Sequence, residues 1–233
     1  MRKDVCYTLS RNIYQDVVPS LKSVLKNGNI DRVYLITEDD DVGFDLPARV
    51  ITMKVNPKAY FSSDGPNYNC RWTYMVLMKT VMPYLFPKHK RILTLDVDTI
   101  VRKDLSPLWD LDMGDNYFAG AVEPFWTKRH GGIPYVNFGV IMWNLEAYRG
   151  KMCDNIIRSL NTTHWQLAEQ ACLNSLCSGR ISVIGPEWNA GDWTQKPPED
   201  QIRIRHYMAS HGTWKREPEV EEYNRLSWED VNR

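Results

Sequence analysis

Arg91-Ile92-Leu93-Thr94-Leu95-Asp96-Val97-Asp98-Thr99 is the stretch on which the reading of this chain turns. An apolar, β-prone run ends in two carboxylates separated by one residue. At the carboxyl end of a central parallel strand, the turn sets both acids at the edge where open α/β sheets bind ligands. Two close carboxylates repel each other, so a divalent cation is their natural partner. Hard oxygen donors suit Mg²⁺ or Mn²⁺.

The flanking pattern supplies the sheet. Val5–Leu9 and Arg32–Thr37 read as strands, and 48–53 as a third. Between the first two, Ile13, Val17, Leu21, Val24 and Leu25 recur at helical spacing up to Lys26. This β-α-β order predicts an α/β fold with a mostly parallel central sheet flanked by helices. Residues 54–70 are polar and turn-rich, a mobile loop. Further helices are expected over 72–85, 104–110, 146–160 and 165–177. Further strands are expected over 117–122, 135–145, 181–184 and 202–205, with an aromatic, Gly-rich loop over 123–134. The charged tail 215–233 reads as a surface helix or a frayed end.

Composition narrows the function classes. The 233 residues are read as one domain, residues 1–214, followed by that tail. Twenty-nine Lys+Arg balance 29 Asp+Glu, so the broad basic footprint of a nucleic-acid binder is missing. No apolar run approaches the roughly 18 residues that span a membrane. Without a signal-peptide pattern, a cytoplasmic protein is expected, and the sequon at Asn161 is taken as accidental. The five cysteines show neither zinc nor redox spacing and read as free thiols. Aromatic residues make up 12% of the chain, with nine Trp, which hints at a binding surface.

The acid pair alone fits two enzyme classes. In a haloacid-dehalogenase-type phosphatase, Asp96 would be the nucleophile and Asp98 a general acid. That chemistry also needs a Gly-Asp-x-x-x-Asp cluster, and the two Gly-Asp steps here, at 114 and 191, lead to Ala119 and Lys196. The rest of the chain favours the other class. Leu95-Asp96-Val97-Asp98-Thr99, followed by Asp104-Leu105-Ser106-Pro107-Leu108-Trp109, resembles glycosyltransferase family 8, the glycogenin and bacterial galactosyl- and glucosyltransferase group. Thr8-Leu9-Ser10-Arg11-Asn12-Ile13-Tyr14 resembles its uridine-holding segment, and Tyr135-Val136-Asn137-Phe138-Gly139-Val140 its Asn-containing strand. Glu169-Gln170-Ala171-Cys172-Leu173-Asn174 is similar to its Asp-Gln-x-x-Leu-Asn helix, and His206-Tyr207 with Trp214 to its last loop.

The resemblance implies a GT-A fold and a retaining hexosyltransferase, with glucose or galactose passing from a UDP-sugar to a carbohydrate or glycoconjugate acceptor. It implies a metal site of Asp96, Asp98 and His206, where a nitrogen ligand tilts the choice toward Mn²⁺. Donor contacts would come from Thr8, Leu9, Ser10, Asn12, Lys79, Val97, Asn137, Gln170 and Trp214, with Tyr14 stacking on the base. Glu169 would be the acidic residue beneath the sugar, Gln170 a sugar-contacting amide, and Lys79 a cation near the phosphates. Trp126, Trp188 and Trp193 are expected to shape an acceptor groove. Residues 56–69 with Arg71 and Trp72 are a candidate lid. The family's loop Gly, Lys and Pro become Ala209, Gly212 and Thr213, so His211 or Lys215 is expected to support the diphosphate, or the chain is a non-catalytic nucleotide-sugar binding module.

Overall fold

A computed structural model of the chain describes residues 1–70, 72–208 and 212–231. Seven strands form one sheet in the order β3-β2-β1-β4-β7-β6-β8. They are β1 (Asp4–Thr8), β2 (Arg32–Thr37), β3 (Val50–Lys54), β4 (Arg91–Leu95), β6 (Phe118–Val122), β7 (Val136–Asn144) and β8 (Ile181–Ile184). The strand that ends in the acid pair, β4, is the middle one. Only β7 runs against the others, pairing antiparallel with β4 and β6. The carboxyl ends of β1, β4 and β6 therefore meet the amino end of β7 at one edge. Thr8, Asp96, Glu123 and Asn137 all lie there.

Alternation along the strands explains the layers. Val5, Tyr7, Val33, Leu35, Leu93 and Leu95 face one core, and Cys6, Tyr34, Ile36 and Ile92 the opposite one. The first core is closed by α1 (Val18–Asn27) through Leu21, Val24 and Leu25. On the other face lie α2 (Met82–Leu85), α4 (Leu145–Tyr148), α5 (Lys151–Thr162) and α6 (Ala168–Leu176), while α3 (Pro124–Arg129) follows β6 at the binding edge. A sheet buried on both faces needs apolar residues at successive positions, as at Ile92 and Leu93. Each fully buried Leu or Ile contributes roughly 1.5–3 kcal/mol.

Several elements differ from the sequence expectation. Residues 124–129 form the helix α3, not a loop, with Pro124 in the first turn, where its missing N–H costs nothing. The helix expected over 72–85 is a 3₁₀ stretch, Tyr74–Val81, that passes into α2, and Thr73 Oγ1 caps it by accepting from Met75 N at 3.0 Å. The helix expected over 146–160 is broken into α4 and α5 at Gly150, whose φ of 79° suits glycine. The loop over 54–70 contains a 3₁₀ turn, Pro57–Ala59. The segment 104–110 holds only a 3₁₀ turn, Ser106–Leu108.

One strand had no signal in the sequence. β5 (Thr99–Val101) pairs antiparallel with β9 (Ile204–His206), and Thr99 lies opposite His206. Beyond it, α7 (Pro218–Arg225) and α8 (Trp228–Val231) pack on α1 and bury Val220, Tyr223 and Val231. Lys22 Nζ donates to the carbonyls of Asn224 and Leu226 at 3.0 and 2.6 Å. The five cysteines are free thiols. Among the described residues no helix is long and apolar enough to cross a membrane.

Candidate active site

The turn after β4 is held from three sides. Asp96 N donates to Gly139 O at 2.8 Å, Thr99 Oγ1 to Asp96 O at 2.7 Å, and Tyr207 N to Asp98 O at 2.9 Å. The last bond and the β5–β9 pairing carry His206 to the acids. His206 Nε2 lies 3.1 Å from Asp98 Oδ1 and 3.9 Å from Asp96 Oδ2. One ligand atom from each of Asp96, Asp98 and His206 lies within 4.8 Å of the other two, the single such group among the described residues. Two carboxylate oxygens and one imidazole nitrogen are the donor set that Mn²⁺ or Mg²⁺ accepts, so these residues fit a divalent cation.

Electrostatics agree. Burial pushes the His206 pKa down, but Asp98 and Asp96 outweigh it and hold it above the usual histidine value. Burial pushes Asp98 up, yet the His206 charge brings it below the usual carboxylate range. Each group thus shifts the other toward its charged form. Lys79 lies alongside, 3% exposed, with Nζ 2.5 Å from Asp96 Oδ1 and 3.1 Å from Phe138 O. Burial lowers its pKa, and Asp96 and Glu169 more than restore it.

A cleft of about 670 Å³ opens over these groups. Thr8, Lys79, Asp96, Val97, Asp98 and Asn137 line it, as do Glu169, Gln170, His206 and Trp214. Trp126 and Trp193 line it too, and Trp193 is 47% exposed. Trp188 does not. It is buried in the core, with the Arg203 guanidinium 4.7 Å from its ring centre, and it offers no face to the cleft.

Ser10 and Asn12 line an adjoining hollow with Tyr68, Trp72 and Tyr74. Leu9 buries its side chain in the core. Tyr14, expected to stack on a base, is buried and lines neither the cleft nor the hollow. The ring is packed in the core, its hydroxyl accepts from Glu38 N and Asp39 N at 3.0 and 3.2 Å, and it donates to Asp39 at 3.1 Å. The rings that line the hollow are those of Tyr68, Trp72 and Tyr74, with Tyr68 and Tyr74 stacked at 4.6 Å between centroids. Arg71 and His211 lie outside the described residues.

Sequence reading missed two residues. Glu123, 3% exposed, accepts from Asn137 Nδ2 at 2.6 Å and from Gln170 Nε2 at 3.1 Å, and so anchors both amides expected to touch the sugar. Its signal was available: like Asp96, it is an acid placed immediately after an apolar strand. Asn189, fully buried, meets His206 Nδ1 at 2.8 Å, and nothing local marks it.

Glu169 is 6% exposed, and burial, partly offset by Lys79, pushes its pKa up to about 7. A carboxyl whose folded pKa is raised contributes stability below its unfolded value, and that contribution is lost as pH rises through the folded value. Glu169→Gln is therefore expected to match the parent near pH 4. Above pH 7 it should be more stable, by on the order of 3 kcal/mol. Denaturant melts across this range test it, and a difference independent of pH would refute the burial argument.

A central mixed sheet with an acid pair and a remote histidine at its ligand-binding edge defines a GT-A fold. The chain belongs to glycosyl transferase family 8, whose pattern it matches over residues 45–217. Glycosyltransferase GlyE of Streptococcus pneumoniae serotype 4 is 23% identical over 226 residues, covering 86% of this chain and 54% of GlyE. The chain thus spans about half the length of that relative. A probable galacturonosyltransferase 4 of Arabidopsis thaliana is 41% identical over 61 residues, 26% of this chain and 10% of that protein. Among solved structures, the galactosyltransferase LgtC in complex with donor and acceptor sugar analogs superposes with a TM-score of 0.76 at 20% identity, covering 95% of this chain and 94% of LgtC. The GlyE structure gives 0.74 at 20% identity, covering all of this chain and 62% of GlyE. These matches do not favour a phosphatase.

Proposed function

We propose that this chain is a retaining glycosyltransferase that moves a hexosyl unit, glucose or galactose, from a UDP-sugar to a carbohydrate or glycoconjugate acceptor. The observation that carries this reading is the facing of Asp96, Asp98 and His206 at the sheet edge, beside Lys79 and Glu169 in one cleft. The bond from the anomeric carbon to the diphosphate breaks, and a bond from that carbon to the acceptor oxygen forms. The acceptor's proton leaves on a diphosphate oxygen or to solvent. Negative charge grows on the leaving group. Asp96, Asp98 and His206 would hold a Mn²⁺ or Mg²⁺ ion, which would supply Lewis acidity there.

The chain's own groups do the rest. Glu169 sets a carboxylate in a water-poor wall, where it stabilises positive charge at the anomeric carbon, whether the transfer runs through a covalent intermediate or by front-face attack. Asn137, held by Glu123, keeps an amide hydrogen for a sugar hydroxyl, and Gln170, held by Glu123 and Tyr135, lines the same cleft. Trp126 and Trp193 offer aromatic faces to an acceptor. Helices α7 and α8 brace this unit against α1.

Lys215 takes the diphosphate role that Gly212 and Thr213 cannot fill. Its ammonium is 48% exposed, rests on Asp16 at 2.6 Å, and lies on the same cleft. Lys215→Ala is expected to lower UDP release about 10-fold, less than the roughly 10²–10³-fold typical of a buried oxyanion donor, because water reaches this site. An unchanged rate would remove Lys215 from the reaction.

The test of the whole reading is UDP release from UDP-glucose, UDP-galactose and UDP-galacturonate, the last because of the galacturonosyltransferase relatives. It is measured with Mn²⁺, with Mg²⁺ and with chelator, beside Asp98→Ala. Cation-dependent turnover that Asp98→Ala abolishes is the expected result. UDP binding without turnover of any donor would make this a nucleotide-sugar binding module instead.

A further inference from the structure

Behind the acid pair runs an unbroken chain of buried side-chain hydrogen bonds. Glu123 Oε1 accepts from Asn137 Nδ2 at 2.6 Å. Asn137 Oδ1 accepts from Asn189 Nδ2 at 2.9 Å, and Asn189 Oδ1 meets His206 Nδ1 at 2.8 Å. None of the four residues is more than 8% exposed.

The direction of this chain is set by chemistry. A carboxylate only accepts, whereas an amide has one donating and one accepting end. Asn137 must turn its NH₂ toward Glu123 and its oxygen toward Asn189. Asn189 must then turn its NH₂ toward Asn137 and its oxygen toward the imidazole. An acceptor facing Nδ1 requires the ring proton on Nδ1, so a neutral His206 keeps its lone pair on Nε2, the atom facing Asp96 and Asp98. Two backbone groups enforce the same sense. Gly139 N–H donates to Asn137 Oδ1 at 2.9 Å. Phe138 N–H donates to Gln170 Oε1 at 3.0 Å, which turns the Gln170 NH₂ onto Glu123.

We propose that Asn189 and, through Asn137, Glu123 are positioning residues that fix the tautomer and ring orientation of His206, so that Nε2 is presented to the cation. This inference rests on the cation reading of the proposed function. Partners behind a metal-binding histidine typically govern about 10–100-fold in affinity. Here the partner is an amide pair polarised by a carboxylate two hydrogen bonds further back, not a carboxylate on the ring itself. Glu123 thereby ties the sugar-facing amides and the cation site to one anchor.

The first measurement needs no variant. In ¹⁵N NMR of the Mg²⁺-saturated protein, His206 is expected as the Nδ1–H form, and an Nε2–H form overturns the proposal. The second is Mn²⁺ binding by calorimetry without any donor. Asn189→Leu, close in size but with no acceptor, is expected to weaken binding about 10–100-fold, and Glu123→Leu about 3–10-fold, with both variants folded. Because both act through one chain, the double variant is expected to bind no worse than Asn189→Leu to within about twofold, whereas independent packing effects multiply. A folded Asn189→Leu that binds Mn²⁺ as tightly as the parent, or losses that multiply, would overturn this inference and leave the cation reading intact. A parent protein that binds neither Mn²⁺ nor Mg²⁺ would overturn both.

Discussion

Gly139→Ala is expected to abolish Mn²⁺ binding and turnover although it removes no ligand atom. A Cβ at this position would sit 1.9 Å from His206 Cε1, 2.4 Å from Nδ1 and 2.8 Å from Nε2. The ring therefore packs closely against the backbone of β7, and glycine is the residue that lets it. The strand cannot yield, because Gly139 O accepts from Asp96 N and so carries the acid turn as well. His206 cannot retreat either, since its backbone N donates to Ala190 O at 2.9 Å and the strand register holds it opposite Thr99. The added methyl must push the imidazole off the acids. Overpacking of this kind costs about 1–3 kcal/mol of stability, while loss of one of three protein ligands should weaken Mn²⁺ by more than about 100-fold. Calorimetry for the ion and denaturant melts for the fold separate the two effects. Unimpaired Mn²⁺ binding by Gly139→Ala would mean that His206 is not a ligand.

Asp96→Ala is expected to lose at least about 10³-fold in UDP release and to lose stability as well. The second loss comes from Lys79. Its ammonium is buried and has two direct acceptors, Asp96 Oδ1 and Phe138 O. Breaking a fully buried pair typically costs about 3–5 kcal/mol. Asp96 is 35% exposed and Glu169 still attracts the ammonium, so about 2–3 kcal/mol is expected here. Lys79→Met added to Asp96→Ala removes the stranded charge and should return most of that stability without returning any turnover. A double variant that stays as unstable as Asp96→Ala would show that Asp96 supports the fold by some route other than Lys79.

Much of this was legible along the chain. The β4 run and its acid pair announce themselves because a strand buried on both faces must be apolar, and two acids at its end have no structural reason to be there. The Glu169-Gln170 pair and Lys79 carried no such local signal and came from family resemblance. Two rings lie elsewhere than the resemblance implied. Tyr14 was expected to stack on a base, but its hydroxyl is committed to the 38–39 backbone. Trp188 was expected at the acceptor side, but it is a core residue under Arg203. A ring's availability depends on what packs against it, and that is absent from spacing. Helix α3 was read as a loop because its aromatic and glycine content outweighed a proline that starts helices well.

The sequence by itself determined the α/β layering and the place of Asp96 and Asp98 at a strand end. Both follow from local periodicity, which the backbone imposes every two or three to four residues. Only the tertiary structure decided the third member of the proposed cation site and what surrounds it. His206 reaches the acids because β9 pairs with β5 across 107 positions (206 − 99), Gly139 leaves room for its ring, and Asn189 meets its Nδ1. Each of those contacts joins segments far apart in the chain, and a polar group's partner is set by where the backbone brings it, not by its neighbours in sequence.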